Sequence, residues 1–206
     1  MACISRSIMK PIGVLYATRE GHTRRIAQHI VNTLRNLGLD AEARDLRTDE
    51  AAVQLTDYAG AILAASVHGG KHEPEMVNFV KEHRGQLESI PAAFLSVTLS
   101  EAGAERADAT PRQHAQFVAD VQKVMDRFFA DTSWHPKFVK PVAGALLYTK
   151  YNMLIRFVLK RIAKKSGGAT DTSRDYDYTD WKALDQFIDE YAGQFLQGFL
   201  AQSAKV

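Results

Sequence analysis

The chain has 206 residues, of which 46% are hydrophobic and 24% charged, a balance that suits one folded domain with a sizeable core and excludes a disordered chain. No apolar run approaches the ~18 residues of a membrane-spanning helix, Met1 to Ile8 lacks the apolar stretch of a secretory signal, and the lone Cys3 excludes an internal disulfide and leaves cysteine chemistry without support. The net charge of +2 hides an asymmetry: Thr132 to Thr170 holds no acid but eight of the 26 basic residues, which suggests a basic face for an acidic partner.

In chain order, residues 1–10 read as a disordered lead-in and 11–202 as a single domain in a cytoplasmic protein. Ile12 to Ala17 reads as a buried strand, and a helix follows from about His22, with Ile26, Ala27, Ile30, Val31, Leu34 and Leu37 at helical spacing and Gly38 as its stop. Ala41 to Leu46 is a weaker, peripheral strand, and Ala59 to Ser66 is nearly all apolar and therefore central. Pro74 opens a helix with Met76, Val77, Phe79, Val80 and Leu87 inward. A fourth strand spans Ala92 to Val97, Pro111 opens a further helix, and Val142 to Leu147 reads as a fifth strand. The last helix starts near Asp180, with Trp181, Leu184, Ile188, Tyr191 and Phe195 on one side. Strands alternating with helices predict a three-layer, doubly wound α/β domain with a five-stranded parallel sheet. In such sheets ligands sit at the carboxyl ends of the strands, which directs attention to the loops there.

The loop after the first strand is Thr18-Arg19-Glu20-Gly21-His22-Thr23. Two hydroxyl residues flank a glycine where a helix begins, and unpaired N–H groups with the positive end of the helix dipole stabilise a phosphate at such a place. The same residues also suit an ordinary turn in which Thr caps a helix. The chain has no G-x-x-x-x-G-K-[ST] loop and no G-x-G-x-x-G after the first strand, so neither a P-loop nor a dinucleotide fingerprint is present. After the third strand come Ser66, Val67, His68, Gly69 and Gly70, and the fourth runs out through Ser96, Val97, Thr98 and Leu99. Glycines beside polar donors suit a flat ring that needs backbone contacts, although flexible surface loops have the same composition. His68 and His72 are placed for proton transfer or are merely polar loop residues. No HExxH pair supports a metal, and no G-x-S-x-G elbow supports a hydrolase.

About thirty residues, roughly 148–178, separate the fifth strand from the last helix, far more than an ordinary loop. Within them Tyr151, Ile155, Val158, Leu159 and Ile162 form one apolar arc, and Lys150, Lys160, Arg161, Lys164 and Lys165 lie opposite, with Met153, Leu154 and Phe157 among the charges. A basic helix at about 150–165 with surplus apolar residues suits a membrane surface with anionic head groups, or else packs on its own domain with a solvated basic face.

The loop at Thr18 to Thr23 resembles the [ST]-x-[ST]-G-x-[ST] phosphate loop of flavodoxins, with Glu20 in place of a hydroxyl residue. A closer resemblance rests on Ala143-Gly144-Ala145-Leu146 followed by Tyr148, on the basic stretch, on Gly167-Gly168-Ala169-Thr170-Asp171-Thr172 and on Tyr178-Thr179-Asp180-Trp181. With a loop of the form T-R-[DE]-G-x-T, these segments are similar to the flavodoxin-type protoporphyrinogen oxidases of bacteria, from Pro11 to about Ala192. Two loops depart from that family: His68 to His72 stands where it is rich in Tyr and Arg, and Ser100-Glu101-Ala102-Gly103 where it is rich in Lys. The resemblance implies a flavodoxin-like fold with a basic insert, FMN held by residues 18–23 and flanked by 66–70 and 96–99, and an enzyme peripheral on the cytoplasmic face of the cell membrane. It implies oxidation of protoporphyrinogen IX to protoporphyrin IX, with electrons passed to menaquinone or ubiquinone, and no nucleic-acid partner. The alternatives are a plain FMN electron carrier, an FMN quinone reductase, and a phosphate-binding regulatory domain that holds no flavin. The oligomeric state is not legible.

Overall fold

The computed structural model describes residues 9–150 and 170–203, so residues 1–8 and the basic stretch Tyr151 to Lys165 lie outside the described residues. Strand β1 (Ile12–Ala17) is buried along its whole length, as a strand covered on both faces must be. Helix α1 (His22–Asn36) buries His22, Thr23, Ile26, Ala27, Ile30, Val31 and Leu34 on one side. Next come the half-exposed β2 (Ala41–Asp45), a single turn α2 (Leu46–Asp49), and β3 (Gly60–His68), which turns back into the short β4 (Lys71–His72). Helix α3 (Pro74–Ser89), β5 (Ala92–Thr98), the short α4 (Leu99–Ala104) and α5 (Pro111–Thr132) follow. Both long helices start on Pro, where a missing N–H costs nothing, and α5 adds a reciprocal Thr110–Gln113 capping box. The chain ends in β6 (Phe138–Ala143), β7 (Ala145–Leu146), β8 (Tyr176–Asp177) and α6 (Trp181–Ser203).

The parallel strands run in the order β2-β1-β3-β5-β6, the doubly wound arrangement of flavodoxin-like domains. Alternate side chains along each strand serve two cores. Val14, Tyr16, Ile62 and Leu95 pack with Ile26, Ile30 and Leu34 of α1 and with Leu184, Ile188 and Tyr191 of α6. Leu15, Leu63 and Phe94 pack on the other face with Phe79 of α3, Phe128 of α5 and Trp134. The Phe94 and Phe128 rings stack with centroids 4.0 Å apart. Each such side chain contributes roughly 1.5–3 kcal/mol by leaving water.

Two expectations change. The fifth strand of the sheet is Phe138–Ala143 rather than Val142 to Leu147, because β6 lies at the sheet edge, where Pro141 needs no second ladder partner and Lys140 stays half-exposed. Ala145–Leu146 leaves the main sheet and pairs antiparallel with Tyr176–Asp177. The second change concerns Leu99 to Ala104, expected as loop, which forms a short helix capped by the Thr98 hydroxyl accepting from the Ser100 N–H.

Candidate cofactor site

The carboxyl ends of β1, β3, β5 and β6 open on one cleft of about 200 Å3 lined by Thr18, Glu20, His22, Thr23, Ser66, Val67, His68, Gly69, Val97, Thr98 and Leu99, and also by Gly144 to Leu147. Four residues singled out from the sequence stand behind this lining. Arg19 turns aside to bond Glu73, Gly21 shapes the turn, Gly70 completes a hairpin, and Ser96 is fully buried against His72. Residues 144–147 were missed as site residues because they were assigned to a strand. Gly144 inside that apolar run was the available sign of a break.

The phosphate-type loop is built by its own short contacts. Thr18 Oγ1 accepts the Gly21 N–H at 3.1 Å, and Gly21 takes φ +92°, a left-handed conformation costly for any residue with a Cβ. That turn delivers the chain into α1, which no side chain caps among the described residues. The Thr23 hydroxyl is 1% exposed with its residue, and its oxygen has no hydrogen-bond partner among the described residues. A buried hydroxyl without a partner costs about 1–3 kcal/mol, so this first turn of α1 is polarised and short of an acceptor. A phosphate monoester has the chemistry that would satisfy it.

The loop after β3 is a two-residue hairpin. His68 and Lys71 pair across it, and Gly69 and Gly70 both have positive φ, +57° and +73°, the sign pattern of a type I′ turn. The hairpin separates the two histidines. His68 stays at the cleft, with Nε2 3.0 Å from Glu20 Oε2 and 3.3 Å from Glu73 Oε1. The Glu20 carboxylate raises the His68 pKa above its ordinary value, against the opposing pull of burial. His72 turns inward, 6% exposed, with Nε2 2.8 Å from Ser96 Oγ and edge-on to Phe94 and Phe128. Burial pushes its pKa down to about 4, so it is a neutral core residue and not a proton donor at the cleft.

Glu73, 3% exposed, ties the loops together. It pairs with Arg19 Nε at 2.8 Å and accepts from Ser66 Oγ at 3.0 Å. On the other flank, Thr179 Oγ1 donates to the Ala143 carbonyl at 2.9 Å and therefore accepts from His22 Nε2, 2.8 Å away. Burial lowers the His22 pKa, so its imidazole is the neutral Nε2–H tautomer. Asp177 accepts the Thr179 N–H at 3.0 Å and pairs with Arg25 at 2.8 Å, while Arg25 lies over the Trp181 ring. No group of His, Cys, Asp and Glu suited to a metal ion is found among the described residues.

A doubly wound sheet with this strand order, and a polarised helix terminus at the β1/β3 crevice, is the arrangement of flavodoxin-like domains, which typically hold FMN at that switch point. The family model described as flavodoxin domain matches residues 13–173, and the chain belongs to that family. The chain is 33% identical over 179 residues to protoporphyrinogen IX dehydrogenase (quinone) of Escherichia coli strain K12, covering 87% of this chain and 93% of that one. The protein of the same name from Leishmania major is 32% identical over 180 residues, with 87% and 73% covered. Within the flavodoxin-domain proteins, the chain is therefore a member of the quinone-dependent protoporphyrinogen IX dehydrogenase family. Among solved structures, a short-chain flavodoxin associated with a bacterial microcompartment superposes with a TM-score of 0.52 at 12% identity, covering 91% of this chain and 99% of that one, and shows the fold.

Proposed function

We propose that this chain binds FMN in the cleft at residues 18–23, 66–70 and 96–99 and uses it to oxidise protoporphyrinogen IX to protoporphyrin IX, passing the electrons to menaquinone or ubiquinone. The observation that carries the reading is the buried Thr23 hydroxyl without a partner at an uncapped helix N-terminus, in a chain matched over almost the whole length of a relative bearing that activity's name. Bound FMN supplies two-electron redox chemistry, so removal of six electrons takes three turnovers. The protein's share is positioning: the N–H groups of α1, Thr18 and Thr23 hold the phosphate, and Val67, Gly69, Val97 and Leu99 offer backbone and apolar surface to the ring. Glu20 and His68 stand at the lip as an ion pair able to move a proton.

The protein is proposed to act at the cytoplasmic face of the membrane, since a quinone is reached only at the bilayer. Among the described residues no helix is long and apolar enough to cross a membrane, and the basic segment Tyr151 to Lys165 is the proposed contact. The test is anaerobic mixing of the FMN-loaded protein with protoporphyrinogen IX. Bleaching of the 450 nm flavin band, restored by adding menaquinone or ubiquinone, supports the reading. A flavin that protoporphyrinogen never reduces overturns it, whatever the fold.

A further inference from the structure

The phosphate-type loop carries an acid. Glu20 lies three residues before Thr23 and lines the same cleft, and its side chain is 18% exposed. A carboxylate there opposes a phosphate dianion, unless a cation is held against it. The nearby groups are few enough to name. Arg19, from the same loop, directs its Nε to Glu73 at 2.8 Å. Glu73, at the start of α3, already accepts from Arg19 and Ser66 and lies 3.3 Å from His68. Lys71 pairs with His68 through the backbone across the hairpin and has an exposed side chain. Glu75 adds a more distant charge near Arg19, and His22 is kept neutral by burial. Among the described residues, the cation set 3.0 Å from the Glu20 carboxylate is His68, delivered by the type I′ turn.

Resting on the reading that the cleft takes FMN, we infer that His68 is a specificity-determining residue: its ion pair with Glu20 neutralises the acid of the phosphate loop and thereby sets the preference for a phosphorylated flavin over riboflavin. The pair is reciprocal. Glu20 raises the His68 pKa, so the imidazole keeps its proton above the ordinary value of 6.5 and loses it only as pH climbs through the raised one. Without Glu20 the strongest influence raising the His68 pKa is gone, and burial with Arg19 draws it down against the Glu73 carboxylate alone, 3.3 Å away. While His68 keeps its proton the wild-type pair sums to zero, and Glu20→Gln, which loses the acid, adds no negative charge beside the phosphate. His68→Gln retains the carboxylate and adds a net negative charge beside the phosphate. The double variant returns to zero. Independent charges acting on the phosphate would instead give additive effects.

The readout is the ratio of FMN to riboflavin affinity, taken from quenching of flavin fluorescence by apoprotein, with folding of each variant checked by circular dichroism. At pH 7 the ratio should fall about tenfold or more in His68→Gln and recover to within about threefold of wild type in the Glu20→Gln/His68→Gln double variant. Raising pH from 6.5 to 9 should lower the wild-type ratio. In Glu20→Gln that fall should shift to lower pH, and the double variant should show none. Its profile also removes the second ionisation of the FMN phosphate, near pH 6 and common to all variants. Additive single effects, or a wild-type ratio that stays flat to pH 9, overturn the inference. Should His68→Gln fail to fold, the pH profiles of wild type and Glu20→Gln decide it alone. A wild-type protein that never prefers FMN at any pH defeats the cofactor reading itself, which is a separate outcome.

Discussion

His72 makes a quantitative prediction about stability. Its imidazole is sealed between Phe94, Phe128 and Ser96, and burial holds its pKa at about 4 against 6.5 when free. As pH falls below 6.5 the unfolded chain takes up a proton that the folded protein refuses, so the stability present above 6.5 is lost as pH falls toward 4. A depression of this size is worth about 3 kcal/mol in full, and about 2 kcal/mol of it is lost between pH 7.5 and 5. His72→Gln removes the titration while keeping a polar end for Ser96. Urea unfolding of both proteins at pH 7.5 and 5 should show wild type losing about 2 kcal/mol more than the variant, whatever the variant costs at neutral pH. Carboxylates titrating in the same range are common to both and cancel. Equal losses would refute the reasoning and mean that His72 reaches solvent or takes up its proton while folded. An imidazole resonance of His72 titrating near 6.5 would say the same.

Three further outcomes are expected. Thr23→Val should weaken FMN by about tenfold or more, the worth of a hydrogen bond to a charged group, and riboflavin far less, as flavin fluorescence titrations would show. Gly21→Val forces a β-branched residue into φ +92° and should cost about 2 kcal/mol in denaturant unfolding as well as FMN affinity. Thr179→Val leaves His22 Nε2 and the Ala143 carbonyl without their shared partner and should cost about 2 kcal/mol in the same assay, with Thr179→Ser close to wild type.

The sheet was legible where burial made it monotonous. β1 and β3 are covered on both faces, so Ile12 to Ala17 and Gly60 to Ser66 read as unbroken small and apolar runs, and Pro74 and Pro111 marked helix starts by their missing N–H. β6 was misplaced because an edge strand tolerates Lys140 and Pro141, while the more apolar Ala145–Leu146 beside it belongs to another pair of strands. Of the site, the loop at Thr18 to Thr23 was visible because helix entry, glycine and hydroxyls are all local. The fates of His68 and His72 were not. Four residues apart, they are sent to opposite surroundings by the turn at Gly69 and Gly70, and pattern alone carries no sign of which faces the cleft. Glu73 read as a residue before a helix. Its role as the buried anchor of Arg19 and Ser66 depends on partners 54 and 7 residues away.

The Tyr178-Thr179-Asp180-Trp181 segment links the far end of the chain to the phosphate-type loop. Tyr178 N–H donates to the Gly144 carbonyl, Thr179 bridges Ala143 and His22, and Asp180 caps α6 by accepting the Ala183 N–H. Trp181 then sits beside His29 of α1 and under Arg25, whose guanidinium pairs with Asp177. Every one of these contacts falls on the first two turns of α1, on α6, or on the segment that leaves β6 to line the cleft. The segment therefore fixes the direction of the helix whose N-terminus offers Thr23, and it fixes the Gly144 to Leu147 wall at the same time. Such a lock lets the loop keep an unpartnered hydroxyl, because its cost of about 1–3 kcal/mol is met by bonds made elsewhere on the same helix. It also separates two uses of one motif. Loss of Thr179 should loosen the wall and the helix together, whereas loss of Thr23 should leave both in place and remove only the contact offered to a phosphate.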